Sequence, residues 1–91
     1  MPVDPFGIKR KVITPGQIRA ARGFLGISQA ELARAAGVSV PTIKRSESDG
    51  EQTLKVSDEM RARIRAALEN AGIEFTNGEV PGIRIKKPVR P

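Results

Sequence analysis

Apolar residues straddle a small hydroxyl residue at the same spacing in three places along this chain: Ile13 and Ile18 around Thr14, Ile27 and Leu32 around Ser28, Val38 and Ile43 around Ser39. An apolar pair set across a hydroxyl cap is the hydrophobic staple that opens a helix. Thr14 with Gln17, and Ser28 with Glu31, add capping-box spacing to the first two. The pattern predicts a helix from Thr14, with Pro15 in its first turn, to Leu25, where Ile18, Ala21 and Leu25 form the apolar stripe and Gly26 is the stop. It predicts a second helix from Gln29 to Ala36, stopped at Gly37. A third runs from Val40 to about Ser48 and ends near Asp49–Gly50. Pro15 and Pro41 fall in first turns, where a missing N–H costs nothing.

Residues 49–56 read as a polar loop. Ser57 then caps a fourth helix, with Asp58 and Glu59 placed to suit its dipole. Met60, Ile64, Ala67, Leu68 and Ala71 are expected on its inner face, and Gly72 stops it. Arg61, Arg63 and Arg65 read as its solvated face, paired in part with Asp58 and Glu69. Beyond Gly72 the period changes to two. Ile73-Glu74-Phe75-Thr76 and Ile83-Arg84-Ile85-Lys86 alternate around the turn signal Asn77-Gly78, which predicts a small hairpin. A short strand over Ile8 to Ile13 is a further expectation.

Composition narrows the function. The chain has 91 residues, the size of one small domain, with 38% apolar residues and Phe as its only aromatic type. So lean a core must draw on helix–helix contacts or on a second subunit. The net charge is +6, which favours a polyanionic partner, nucleic acid before an acidic membrane. Cys and His are both absent, so thiolate and imidazole metal sites and the Ser-His and Cys-His catalytic sets are excluded. No enzyme activity, cofactor or metal is expected. No apolar run approaches the ~20 residues of a membrane span, and MPVDPFGIKRK lacks the apolar centre of a signal peptide. A cytoplasmic, nucleoid-associated protein is expected.

The most informative segment is Ser28 to Glu47. Two short capped helices are separated only by Gly37, Val38 and Ser39, which sets them at a steep angle, as in a helix-turn-helix. Leu32, Ala36, Val38 and Ile43 are placed to face inward, and Ala33 is small where the helices approach. The first turn of the third helix is left protruding, as groove reading requires. The run LGISQAELARAAGVSVPTIKRSES, from Leu25 to Ser48, resembles the lambda-repressor-like (XRE/Cro) helix-turn-helix family, and the likeness extends over roughly residues 14–71. Ser46 departs from that pattern, in which an apolar residue is usual.

The resemblance implies a mainly α fold: a lambda-repressor-like domain of four or five helices that docks its third helix in the major groove, here with a short C-terminal β-hairpin. It implies base contacts from Ser39, Val40, Pro41, Lys44 and Arg45, with Arg45 the candidate for bidentate contact with guanine. It gives Gln29 a phosphate. Ser28 can offer a backbone N–H to the same phosphate, as helix N-termini do, and Thr42 can reach a phosphate or a base. Lys9, Arg10 and Lys11 are a candidate arm on the DNA backbone. The chain then divides into a basic arm (1–13), the DNA-binding domain (14–72), a hairpin (73–86) and a basic tail (87–91). A hairpin alone is marginal, so it must lie on the helices or pair with another strand, and a strand of a second subunit would serve. Ile73, Phe75, Ile83 and Ile85 are therefore expected to build a homodimer that reads a palindromic operator in double-stranded DNA. The expected function is sequence-specific transcription regulation, with repression as its expected sign. An antitoxin neutralising a toxin partner, and a protein-interaction module on the same fold, remain open alternatives.

Overall fold

The computed structural model describes residues 13–77 and 81–86. The basic trio Lys9, Arg10 and Lys11, the strand expected before Ile13 and the tail 87–91 lie outside the described residues. Four α-helices are followed by an antiparallel hairpin: α1 (Pro15–Leu25), α2 (Gln29–Ala36), α3 (Val40–Ser46), α4 (Asp58–Asn70), β1 (Ile73–Asn77) and β2 (Pro81–Ile85). A 3-10 helix, Glu51–Lys55, lies between α3 and α4, where a plain loop is expected from sequence. α3 stops at Ser46, two residues before its predicted end, with Glu47 as its C-cap.

The caps are those the sequence encodes. Thr14 and Ser28 each accept a hydrogen bond from the backbone N–H three residues on, and Gln17 and Glu31 return the bond to the cap N–H. Such reciprocal caps satisfy donors that the first turn of a helix otherwise leaves unpaired. Gly26 and Gly37 end α1 and α2 at φ of 70° and 72°, a conformation a Cβ disfavours. The tight turn at Gly37 lets α3 begin at once, with Ser39 capping Thr42. That reversal sets the angle between α2 and α3.

The core is one cluster: Ile13, Ile18, Ala21, Leu32, Ala33, Ala36, Ile43, Ile64, Leu68, Ile73 and Phe75. Each staple delivers an inward residue from the start of a helix, which is why apolar spacing and fold agree. Met60 and Ala71 depart from the predicted inner face of α4. Met60 is 41% exposed and Ala71 is exposed at the helix C-cap. Only Ile64 and Leu68 of that face are fully buried. Arg63 pairs with Glu59 at 2.9 Å, not with Asp58, while the expected Arg65–Glu69 pair is present at 2.9 Å. Arg61 is not a solvated cation. Its guanidinium donates to the carbonyls of Thr53 and Val56, at 2.8 and 3.1 Å, and so fastens the 3-10 helix to α4.

The hairpin takes one of the two places open to it from sequence, on the helices. Its register pairs Ile73 with Ile85 and Phe75 with Ile83, which puts these four on one face. That face lies on the protein's own helices. Ile73 and Phe75 are buried members of the core and Ile83 packs against it, while Arg65 stacks over the Phe75 ring at 5.5 Å. Ile73 and Phe75 are therefore not dimer-contact residues. Their apolar surface is already covered, a gain of roughly 2 kcal/mol or more per side chain. Of the four, Ile85, at 36% exposure, faces solvent most, and Ile83 is half-buried. The hairpin is tied down by Gln17, whose Nε2 donates to the carbonyls of Thr76 (3.0 Å) and Gly82 (2.8 Å).

Candidate nucleic-acid interface

α3 presents two different faces because its seven residues make only two turns. Thr42, Ile43 and Ser46 are buried, and Val40 packs against the core. Pro41, Lys44 and Arg45 stand three and four residues apart on the outside and are exposed. Ser39 is exposed at the tip, although its hydroxyl is engaged in the cap. Of the five residues expected to meet bases, four thus share one exposed surface, and Val40 borders it half-buried.

Electrostatics separates that surface from the scaffold. Arg19, Arg22, Arg63, Arg65 and Arg84 each pair with a carboxylate. Lys44 and Arg45 form no ion pair with any described residue, a state they share with Arg34, Lys55, Arg61 and Lys86. An unneutralised cation on a rigid helix keeps its field and its hydrogen-bond donors for an external anion.

Two expected phosphate contacts are corrected. Thr42 is 5% exposed. Its hydroxyl hydrogen-bonds with that of Ser39 at 2.9 Å and lies 3.9 Å from the Met60 sulfur, so it faces the protein instead of solvent. The backbone N–H of Ser28 is not open to a phosphate, because the Glu31 carboxylate takes it at 2.8 Å. The Glu31 N–H is held by the Ser28 hydroxyl at 3.0 Å, so the free donors at this end of α2 are the N–H groups of Gln29 and Ala30, which have no carbonyl one turn back. The Gln29 side chain stands beside them, half-buried, and donates through Nε2 to Glu47 at 3.0 Å.

Ser46 is accommodated without a looser core. It is 0% exposed and its hydroxyl donates to the Ile43 carbonyl at 2.8 Å, so the buried oxygen has a partner. That local bond competes with helix continuation, and α3 ends at this residue.

Sequence reasoning gave Glu47 no role beyond closing the helix-turn-helix segment. It is 7% exposed and accepts a two-point contact from Arg22, through Nε at 2.7 Å and Nη2 at 3.1 Å. Arg22 also donates to the Ile27 carbonyl at 3.1 Å, and the Glu47 carbonyl accepts from Arg19. The hydrogen bond from Arg22 to Glu47 holds the guanidinium above its ordinary pKa range, against the opposing effect of burial. One signal for Glu47 was available. An acid at a helix C-terminus opposes the dipole and needs a nearby cation.

No helix among the described residues is long and apolar enough to cross a membrane. The family model described as helix-turn-helix matches residues 18–58, a span from α1 to the first residue of α4 that contains the whole surface above. No curated relative matches the chain.

Proposed function

Residues 18–58 belong to the lambda-repressor-like helix-turn-helix family of DNA-binding regulators, and from that premise we propose that the protein is a sequence-specific, double-stranded DNA-binding transcriptional repressor. The observation that carries this reading is the outer face of α3. Pro41, Lys44 and Arg45 are exposed there, and both cations lack an ion-pair partner among the described residues. Arg45 is the residue for a guanine edge, where a guanidinium meets two acceptors at once. Lys44 serves a base or a phosphate, Ser39 and Pro41 contact base edges at the tip, and Val40 touches a thymine methyl group. The Gln29 side chain and the N–H groups of Gln29 and Ala30 hold a phosphate that sets the register of α3 in the groove. Lys9, Arg10 and Lys11 add backbone contacts outside the described residues. Repression by occupancy needs no surface beyond this one.

The DNA-reading form is a homodimer on a palindromic site, since one short helix reads too few base pairs for a unique address. We place its contact at the exposed end of the hairpin, around Ile85 and the strand edges, because Ile73 and Phe75 are buried in the core. Ile85→Glu should lower the solution mass to that of one chain and leave the helical content unchanged. An unaltered mass places the contact elsewhere.

DNA binding itself is tested by fluorescence anisotropy on duplex DNA over a range of salt. Phosphate neutralisation predicts a steep linear fall of log affinity with log salt. A salt-independent affinity contradicts the proposed function and favours a protein-interaction module.

A further inference from the structure

Glu47 shares its carboxylate among three helices. It caps the end of α3. Its Oε2 accepts from Arg22 of α1 at 2.7 Å, and its Oε1 accepts from Arg22 at 3.1 Å and from Gln29 of α2 at 3.0 Å. Stability of α3 does not account for the acid, because a negative charge at a helix C-terminus is unfavourable. Pairing with Arg22 does not account for the third bond.

We propose that Glu47 is a positioning residue for Gln29 and so for the phosphate contact; this rests on the reading of Gln29 as a phosphate ligand. A carboxylate only accepts hydrogen bonds, so the amide atom turned toward it has to be the nitrogen. One hydrogen of Nε2 is committed to Oε1, and the other is directed away from Glu47, free for a phosphate oxygen. Without this contact the amide can flip and present its carbonyl oxygen to the phosphate, where it repels. Arg22 completes the device. It neutralises the carboxylate, so a negative charge can stand behind a phosphate ligand without driving the phosphate off.

The test is a double-mutant cycle between Glu47 and Gln29 in the full chain. Affinity for a labelled mixed-sequence DNA duplex is read by anisotropy, with folding checked by circular dichroism. Glu47→Met removes a negative charge, so simple electrostatics predicts tighter binding in every background. Positioning predicts weaker binding, by about 3- to 10-fold, the size of one hydrogen bond, and predicts that the loss vanishes in the Gln29→Ala background. Glu47→Asp keeps the charge and the Arg22 partner but draws the carboxylate back by one methylene. The same background-dependent loss is expected from it, which keeps the test decisive if Glu47→Met does not fold. Equal effects of Glu47 substitution with and without Gln29 overturn the proposal. If Gln29→Ala alone leaves affinity unchanged, the phosphate reading of Gln29 falls first, and the proposal falls with it.

Discussion

Gln17→Glu changes one NH2 group to an oxygen and nearly nothing in shape, yet it should be among the most damaging substitutions in the chain. The Gln17 side chain is 3% exposed. Its Oε1 accepts from the Thr14 N–H at 2.8 Å, and its Nε2 donates to the Thr76 and Gly82 carbonyls at 3.0 and 2.8 Å. Glutamate preserves the first bond, and helix energetics alone would favour it, since an acid suits a helix N-terminus. At the other end, however, an acceptor would face two acceptors. Each lost hydrogen bond is worth about 1 kcal/mol net, and a carbonyl left short of a partner adds about 1 kcal/mol or more. The sum is roughly 2–4 kcal/mol, a large share of the ~5–15 kcal/mol that stabilises a small domain. Urea denaturation at neutral pH measures it directly. The deficit also has a signed pH dependence. The introduced carboxyl, buried at this position, would bind its proton more tightly when folded than unfolded, because only the acid form can donate to a carbonyl. With the folded pKa raised, stability falls as pH rises from the ordinary glutamate range through the folded pKa. The variant should therefore lie closest to wild type in acid. A Gln17→Glu protein within about 0.5 kcal/mol of wild type at neutral pH, or one whose deficit grows on acidification, refutes the Gln17 clamp.

Two further substitutions probe the scaffold. Arg22→Met leaves the Glu47 side chain, 6% exposed, without its cation. Arg22 itself is a quarter exposed, so solvent screening reduces the cost of breaking the pair to about 2 kcal/mol, read as a shift in urea midpoint; no change would show the pair to be energetically idle. Phe75→Ala should cost about 3 kcal/mol by opening a cavity between hairpin and helices. The deficit relative to wild type should not vary with protein concentration, whereas a concentration-dependent deficit would return Phe75 to a subunit interface.

The helices were legible because every start, and the ends of α1 and α2, are encoded locally. A hydroxyl cap, a staple and a terminating glycine lie within a few residues of one another, so Thr14, Ser28, Ser39, Gly26 and Gly37 could be placed without any tertiary information. The exposed face of α3 was legible for the same reason, since Pro41, Lys44 and Arg45 follow from the period of a helix whose inner side is marked by Ile43. What failed depends on contacts distant in sequence. Thr42 is hidden by Met60, eighteen residues on. Ile73 and Phe75 alternate as any half-buried strand does, and alternation does not say whether the covering surface is the same chain or a second one. Gln17 did carry a sign. Glutamate is the more favourable residue at that cap position, so an amide there indicates that a donor is needed. The 3-10 helix depends on Arg61 reaching two carbonyls, which no local pattern announces.

Selection of bound duplexes from a random pool, run in parallel on wild type and Arg45→Ala, tests most directly whether the outer face of α3 reads DNA. The account predicts a wild-type consensus of two inverted half-sites about one helical turn apart. It predicts that Arg45→Ala relaxes a single position in each half-site, at a cost of ~1–3 kcal/mol on the consensus duplex. An unchanged base preference in Arg45→Ala, or no enrichment of any sequence by wild type, would contradict it.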